Sequence, residues 1–136
     1  MRAFIDTNIF LYAAGKPHPE REACVQILRR VAEGTLDATA NTEVIQEILY
    51  VLTRRGQRPE AVALARQVMV LCPDLLPVTS QDMVGAFQLL EKHPGFAVRD
   101  AVHTATMLRK GLQTVISVDP DFDQIPEIRR VAPRAA

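Results

Sequence analysis

Two aspartates stand where an open α/β sheet would bind a ligand. Asp6 ends a predicted first strand over residues 2–6, and Asp119 follows a β-branched, apolar stretch at 114–118. Ligands of such sheets bind outside the carboxyl ends of the strands, so two acids at that edge can share a metal ion. The alternative for either residue alone is a carboxylate that caps the next helix or turn.

Two further acids lie on predicted helices. Glu47 falls just beyond the apolar stripe of the helix around Val44, Ile48 and Leu52, where a carboxylate loses hydration unless a cation is near. A salt bridge or a solvated surface acid is the alternative. Asp100 lies in the first turn of a helix predicted over 98–110, a position that the helix dipole alone would favour.

Carboxylate oxygens are hard ligands that suit Mg²⁺ or Mn²⁺ rather than zinc. Such ions support the hydrolysis of phosphodiesters by activating water and neutralising phosphate charge. The sequence offers no glycine-rich phosphate loop, no serine nucleophile elbow and no Cys–His constellation. The three histidines form no zinc-like pair, and His103 is expected to be structural although it shares a helix face with Asp100.

The elements that must position these acids alternate between short apolar runs and helical periodicity, which predicts a three-layer α/β/α fold around a mostly parallel sheet, with the first strand central. Nothing is assigned between residues 7 and 19. Strands are predicted at 2–6, 36–39, 75–78, 114–118 and 128–131. Helices are predicted at 20–34, 42–55, 59–72, 80–92 and 98–110.

Bulk properties predict one globular domain over residues 1–136. The hydrophobic fraction is 48% and the charged fraction 24%, which is ordinary for a folded protein. The net charge is zero, so any nucleic acid must be attracted by a local patch, a metal or a second subunit. Cys24 and Cys72 fit buried thiols. No signal peptide or membrane span is evident, which predicts a cytoplasmic location.

Four segments together resemble the PIN-domain family, in particular its VapC-like toxins from bacterial toxin–antitoxin pairs. The opening Phe4-Ile5-Asp6-Thr7-Asn8 is similar to the family's apolar-x-D-T-N motif, and the segment 42–47 is similar to the helix that carries its glutamate. The segment 100–105 resembles the D-A-x-x-x-A helix. The segment 117–122 resembles the closing T-x-D-x-D-F, with Ser117 in place of threonine.

The resemblance implies an endoribonuclease that cuts RNA with Mg²⁺ or Mn²⁺ and leaves 5′-phosphate and 3′-hydroxyl ends. It carries the catalytic and metal-binding roles to Asp6, Glu47, Asp100 and Asp119, around one or two ions. Asp121 or Asp123 is left open as a helper or substitute for Asp119. Support from Thr7 or Asn8, and from Ser117, is expected through hydrogen bonds to the ligands.

The resemblance also implies partners: an RNA substrate, a small antitoxin protein and a second copy of the chain. The helix over 44–52 is apolar around most of its girth, and Tyr50 is expected to face a second surface where a homodimer or an antitoxin could bind. The arginines at positions 29, 30, 54, 55 and 58 are candidates for contacts with the RNA backbone. The alternative function is a catalytically inert PIN-like module that binds RNA or protein.

Overall fold

The computed structural model describes residues 2–136, so only the first residue of the predicted domain lies outside the described residues. Its sheet has four parallel strands: β1 (Ala3–Ile5), β2 (Ala38–Thr39), β3 (Thr114–Ile116) and β4 (Arg129–Val131). The strand order is β2-β1-β3-β4, and Phe4 pairs with Thr39 on one side and Val115 on the other. The first strand is therefore central, and the predicted parallel fold is confirmed.

The helices connect these strands as crossovers. They are α1 (Thr7–Ala14), α2 (Arg21–Ala32), α3 (Thr42–Arg54), α4 (Arg58–Leu71), α5 (Ser80–Lys92) and α6 (Val98–Arg109). Gly56 and Gly111 have positive φ angles of 77° and 72° just beyond the ends of α3 and α6, a conformation that favours glycine. In the part of the chain that the structure describes, no helix is long and apolar enough to cross a membrane.

Helix α6 is the most deeply buried helix that carries candidate site residues. Every residue from Asp100 to Met107 is buried, so this helix is enclosed on all sides along two turns. It packs mainly against α5 and also contacts α3. A carboxylate on α6 therefore faces protein rather than bulk solvent, which the helical wheel of α6 alone did not predict. The predicted buried thiols, Cys24 and Cys72, are confirmed.

Two predictions of secondary structure need correction. The segment 75–78 is not a strand: it forms one isolated parallel bridge, between Asn41 and Leu76. Pro77 has no N–H to continue the ladder, and the N–H of Val78 is donated to the Thr42 hydroxyl instead. The unassigned segment after Asp6 forms α1, whose aromatic and β-branched residues have weak helix propensity but bury Ile9 and Phe10 in the core.

Candidate metal centre

Asp6 is the buried centre of the site. It directly follows β1, is 4% exposed, and caps α1 by accepting a hydrogen bond from the Thr7 N–H at 2.8 Å. Its other oxygen accepts hydrogen bonds from the Ser117 hydroxyl at 2.6 Å and the Asn8 amide at 3.1 Å. These bonds fix the orientation of the carboxylate, so a cation bound here would meet a preorganised group.

Ser117 joins the ends of the two central strands. Besides donating to Asp6, its hydroxyl accepts hydrogen bonds from the Asn8 amide at 3.2 Å and the backbone N–H of Asp119 at 3.0 Å. The serine that stands where the family motif has threonine thus keeps a hydroxyl in a bridging position. Asn8 and Ser117 thus make the hydrogen bonds to the candidate ligand Asp6 that were expected of them.

Glu47 reaches the same edge from α3. Its Oε1 accepts a 2.7 Å hydrogen bond from the Thr7 hydroxyl, the contact expected of Thr7 with a candidate ligand. The side chain is 18% exposed, and its Oε2 lies 3.6 Å from Nη1 of Arg99. The carboxylate is therefore held at the rim, between the buried site and an arginine on the surface.

Asp100 and His103 enter from one face of α6, three residues apart. Ligand atoms of Asp6, Asp100 and His103 all lie within 4.8 Å of one another. Nε2 of His103 lies 3.4 Å from Oε1 of Glu47 and 3.8 Å from Oδ1 of Asp6. The ring is fully buried, and its Nδ1 has no hydrogen-bond partner among the described residues. His103 is thus a neighbour of the acids as well as part of the core.

Crowding and burial change the acidity of these groups. Burial raises the pKa of Asp6. Burial, together with the negative charge of Asp6, raises the pKa of Asp100 to about 7. Burial also opposes ionisation of Glu47, yet hydrogen bonds from His103 and Thr7 lower the pKa of Glu47 overall. Burial alone would lower the pKa of His103, but its hydrogen bond to Glu47 and the charge of Asp6 raise it.

Asp119 lies at the border of this cluster. It is half-buried and close enough for its charge to help raise the pKa of Asp100, while its Oδ1 accepts a hydrogen bond from the Asp121 N–H at 2.9 Å. Asp123 is exposed and is held by Nε and Nη2 of Arg130 at 3.0 and 3.1 Å. The structure therefore favours Asp119 over Asp123 as the fourth acid, because Asp123 already has a cationic partner.

The donor set fits a divalent cation. Carboxylates gather at the carboxyl ends of β1 and β3, and two of them, Asp6 and Asp100, are almost removed from solvent. Unpaired carboxylates in such a place are costly unless a cation or a proton compensates. The buried acidic cluster is therefore suited to hold a metal ion, and its oxygens suit a hard one.

The sequence matches the profile of the PIN domain over residues 3–128. This chain belongs to the PIN-domain family. Over 133 residues it is 34% identical to ribonuclease VapC7 of Mycobacterium tuberculosis, across 97% of this chain and 92% of that protein. It is 32% identical to ribonuclease VapC23 of the same species, across 85% of this chain and 91% of that protein.

Solved structures support the PIN fold. VapBC2 from Rickettsia felis, bound to a DNA fragment from its promoter, has a TM-score of 0.75 at 16% identity and covers 97% of this chain and 98% of its own. VapC20 of Mycobacterium tuberculosis, a sarcin-ricin loop cleaving toxin, has a TM-score of 0.74 at 22% identity and covers 91% and 95%. At these identities the likeness shows the shared fold.

Two neighbours of the PIN-domain acids were not predicted from the sequence as parts of the site. The expectation for His103 was a structural role, although its spacing of three from Asp100 already placed both on one helix face. Arg99, which contacts Glu47, was absent from the arginines chosen for RNA contacts. A charged residue directly before Asp100 gives no local signal of its own, because the contact depends on how α6 packs against α3.

Proposed function

We propose that this chain is a divalent-metal-dependent endoribonuclease, the toxin component of a toxin–antitoxin pair, in which Asp6, Glu47, Asp100 and Asp119 bind Mg²⁺ or Mn²⁺. The observation that carries the proposal is the approach of buried Asp6 and Asp100 to within 4.8 Å in one group. Burial and the negative charge of Asp6 raise the pKa of Asp100, and a bound cation would offset both effects. The similarity to ribonucleases VapC7 and VapC23 indicates the class of reaction, cleavage of RNA.

The residues of the site have distinct tasks in this reaction. A divalent ion supplies Lewis acidity toward the phosphodiester and neutralises charge that develops on it. Asp6 is oriented for binding by Ser117 and Asn8, and Glu47 is oriented by Thr7. Asp100, whose pKa is raised to about 7 in the free protein, would release its proton on binding a cation.

Cleavage of a labelled single-stranded RNA tests this function. We expect wild-type protein to cut the RNA with Mg²⁺ or Mn²⁺ and to be inactive in EDTA. Asp6→Asn removes a buried charge from the centre and is expected to abolish most cleavage, whereas Asp123→Asn changes an exposed acid paired with Arg130 and is expected to be nearly neutral. RNA binding without metal-dependent cleavage would support the alternative, an inert PIN-like binding module.

Two protein partners belong to the same proposal. A small antitoxin is proposed because several structural neighbours are complexes of this toxin–antitoxin type. A homodimer is proposed on α4, where Val62, Met69 and Val70 expose one apolar face. Tyr50 on α3 is also exposed, as expected, but two arginines lie against its ring, which makes that face a poor symmetric interface because it would bring like charges together.

A further inference from the structure

The rim of the acidic site carries an exposed aromatic ring with two guanidinium groups close to it. The Arg99 guanidinium lies 5.1 Å from the centre of the Tyr50 ring, and the Arg54 guanidinium lies 5.7 Å from it. Both distances are within the range of cation–π attraction. Nη1 of Arg54 also lies 3.3 Å from the Tyr50 hydroxyl. We call Tyr50, Arg54 and Arg99 the Tyr50 patch.

The patch adjoins the proposed catalytic site directly. Tyr50 follows Glu47 by three residues on α3, so the two side chains are neighbours on one helix face. Arg99 directly precedes Asp100 and has its Nη1 3.6 Å from Glu47. A shallow depression of about 400 Å³ opens on the same helix, lined by Gln46, Leu49, Tyr50, Thr53 and Arg54. A strand bound here would continue into the acids.

The chemistry of the patch matches single-stranded RNA. Guanidinium groups bind phosphate oxygens through paired N–H donors, and an exposed aromatic face stacks a splayed base regardless of its identity. Tyr50 is 44% exposed, so it presents surface to solvent beside two positive charges. Because the net charge of the chain is zero, attraction of a polyanion must come from local patches such as this one.

The Arg99 guanidinium can exchange its Glu47 partner for a phosphate of the RNA. At 3.6 Å, with the arginine side chain 41% exposed, the contact between Arg99 and Glu47 is a loose surface ion pair that stabilises the fold little. A divalent cation among the acids would compensate the charge of Glu47 and leave the guanidinium available to a phosphate. The Tyr50 ring would keep that guanidinium at the rim while the partner changes.

We infer that the Tyr50 patch is a docking subsite for single-stranded RNA next to the cleaved bond, in which Arg99 and Arg54 contact backbone phosphates and Tyr50 stacks a base. The inference rests on the proposed ribonuclease function and identifies where its substrate is held. Arg99 is the phosphate contact nearest the acids, and Arg54, one helical turn beyond Tyr50, is the outer one.

The test measures binding of a fluorescent single-stranded RNA by anisotropy, in EDTA so that no cleavage occurs, from about 50 to 200 mM salt. The same titrations are repeated with Mn²⁺ in the Asp6→Asn background. Arg54→Gln in both conditions, and Arg99→Gln in the presence of Mn²⁺, should reduce the slope of log affinity against log salt by about 0.7, the value for one phosphate contact on a single strand. Arg21→Gln, an exposed arginine on α2, is the matched control and should leave the slope unchanged.

The aromatic contact is tested separately. Tyr50→Leu should weaken binding by roughly 5- to 100-fold, the range for loss of one stacked base, with little change in slope. Tyr50→Phe keeps the ring and should bind nearly as wild type. Circular dichroism of each variant checks that the fold is retained, which exposed positions should tolerate.

Three results would overturn the inference. One is wild-type affinity and slope in Arg99→Gln and Tyr50→Leu. The second is a change in metal affinity for Arg99→Gln without any change in salt slope, which would confine the arginine to holding Glu47. The third is a change in the number of subunits per particle, measured by light scattering, in Tyr50→Leu, which would make the patch a protein interface. If wild-type protein neither binds nor cleaves RNA, the proposed function itself fails.

Discussion

Asp100→Asn should make the metal-free protein more stable at alkaline pH. Burial and the charge of Asp6 raise the pKa of Asp100 from its ordinary 3.8 to about 7. A carboxyl group whose pKa is raised on folding contributes its full stability below the unfolded pKa and loses it as the pH rises through the folded pKa. The ionised carboxylate therefore costs the native state progressively more between about pH 4 and pH 7.

The size of the pKa shift of Asp100 sets the expected change in the free energy of unfolding. Each pH unit corresponds to about 1.4 kcal/mol, so the difference between the ordinary pKa and about 7 gives an upper value of about 4 kcal/mol at pH 8. Asp6 shares the repulsion, and a buried amide needs its own hydrogen-bond partners. We therefore expect Asp100→Asn to raise the free energy of unfolding by about 2 kcal/mol at pH 8, and by much less at pH 5.

Urea unfolding in EDTA, followed by circular dichroism, measures this difference at both pH values. Asp123→Asn is the control, because Asp123 is exposed and paired with Arg130; its effect should stay below about 0.5 kcal/mol. Adding Mn²⁺ at one hundred times its dissociation constant should stabilise wild-type protein by about 2.7 kcal/mol and Asp100→Asn far less. A variant less stable than wild type at pH 8 in EDTA, or a difference independent of pH, would refute the reasoning.

The remaining predictions concern the ligand support, the pH dependence of metal binding, a buried ion pair and the dimer. Ser117→Ala removes the 2.6 Å hydrogen bond to Asp6 and should weaken Mn²⁺ binding about 10- to 100-fold in calorimetry; unchanged affinity would show that the hydroxyl does not support the ligand. Mn²⁺ affinity of the wild type should fall as the pH drops below about 7, because Asp100 regains its proton, and a flat profile between pH 6 and pH 8 would contradict this. Asp82→Ala removes a buried carboxylate that accepts hydrogen bonds from Arg109 and Thr106 and should lower the free energy of unfolding by about 1 to 3 kcal/mol, a loss that thermal or urea unfolding would detect or exclude. Val70→Lys, at a side chain that is 82% exposed, should shift the mass in light scattering from two subunits to one while circular dichroism stays unchanged; a dimer that persists would place the interface elsewhere.

The partly buried ion pair between Asp82 and Arg109 belongs to a network that reaches the helices of the site. The Asp82 carboxylate also accepts a 3.1 Å hydrogen bond from the Thr106 hydroxyl, and Thr106 in turn accepts one from the Asn41 amide at 3.1 Å. Asn41 caps α3, which carries Glu47, through a bond from the Val44 N–H at 3.0 Å. This network therefore fixes the start of α3 against α6, the helix of Asp100.

The order of amino acids alone determines the periodic elements and the place of the acids along them. Apolar runs followed by Asp6 and Asp119 predict strand ends, and parallel strands bring their carboxyl ends to one edge. Helix ends at Gly56 and Gly111 are likewise local, because only the nearby backbone is involved. The segment 75–78 was wrongly predicted as a strand, because Pro77 lacks the N–H that would continue the ladder. Helix α1 was left unassigned, because its aromatic and β-branched residues have weak helix propensity and are stabilised by burial in the core.

Tertiary packing decides how the acids contact one another and in which protonation state each is found. The bond between Ser117 and Asp6 joins residues separated by 111 positions, and no local pattern encodes such a contact. The choice of Asp119 over Asp123 depends on Arg130, and the place of Arg99 beside Glu47 depends on how α6 meets α3. The raised pKa of Asp100 depends on desolvation, which exists only after the surrounding chain has folded over it.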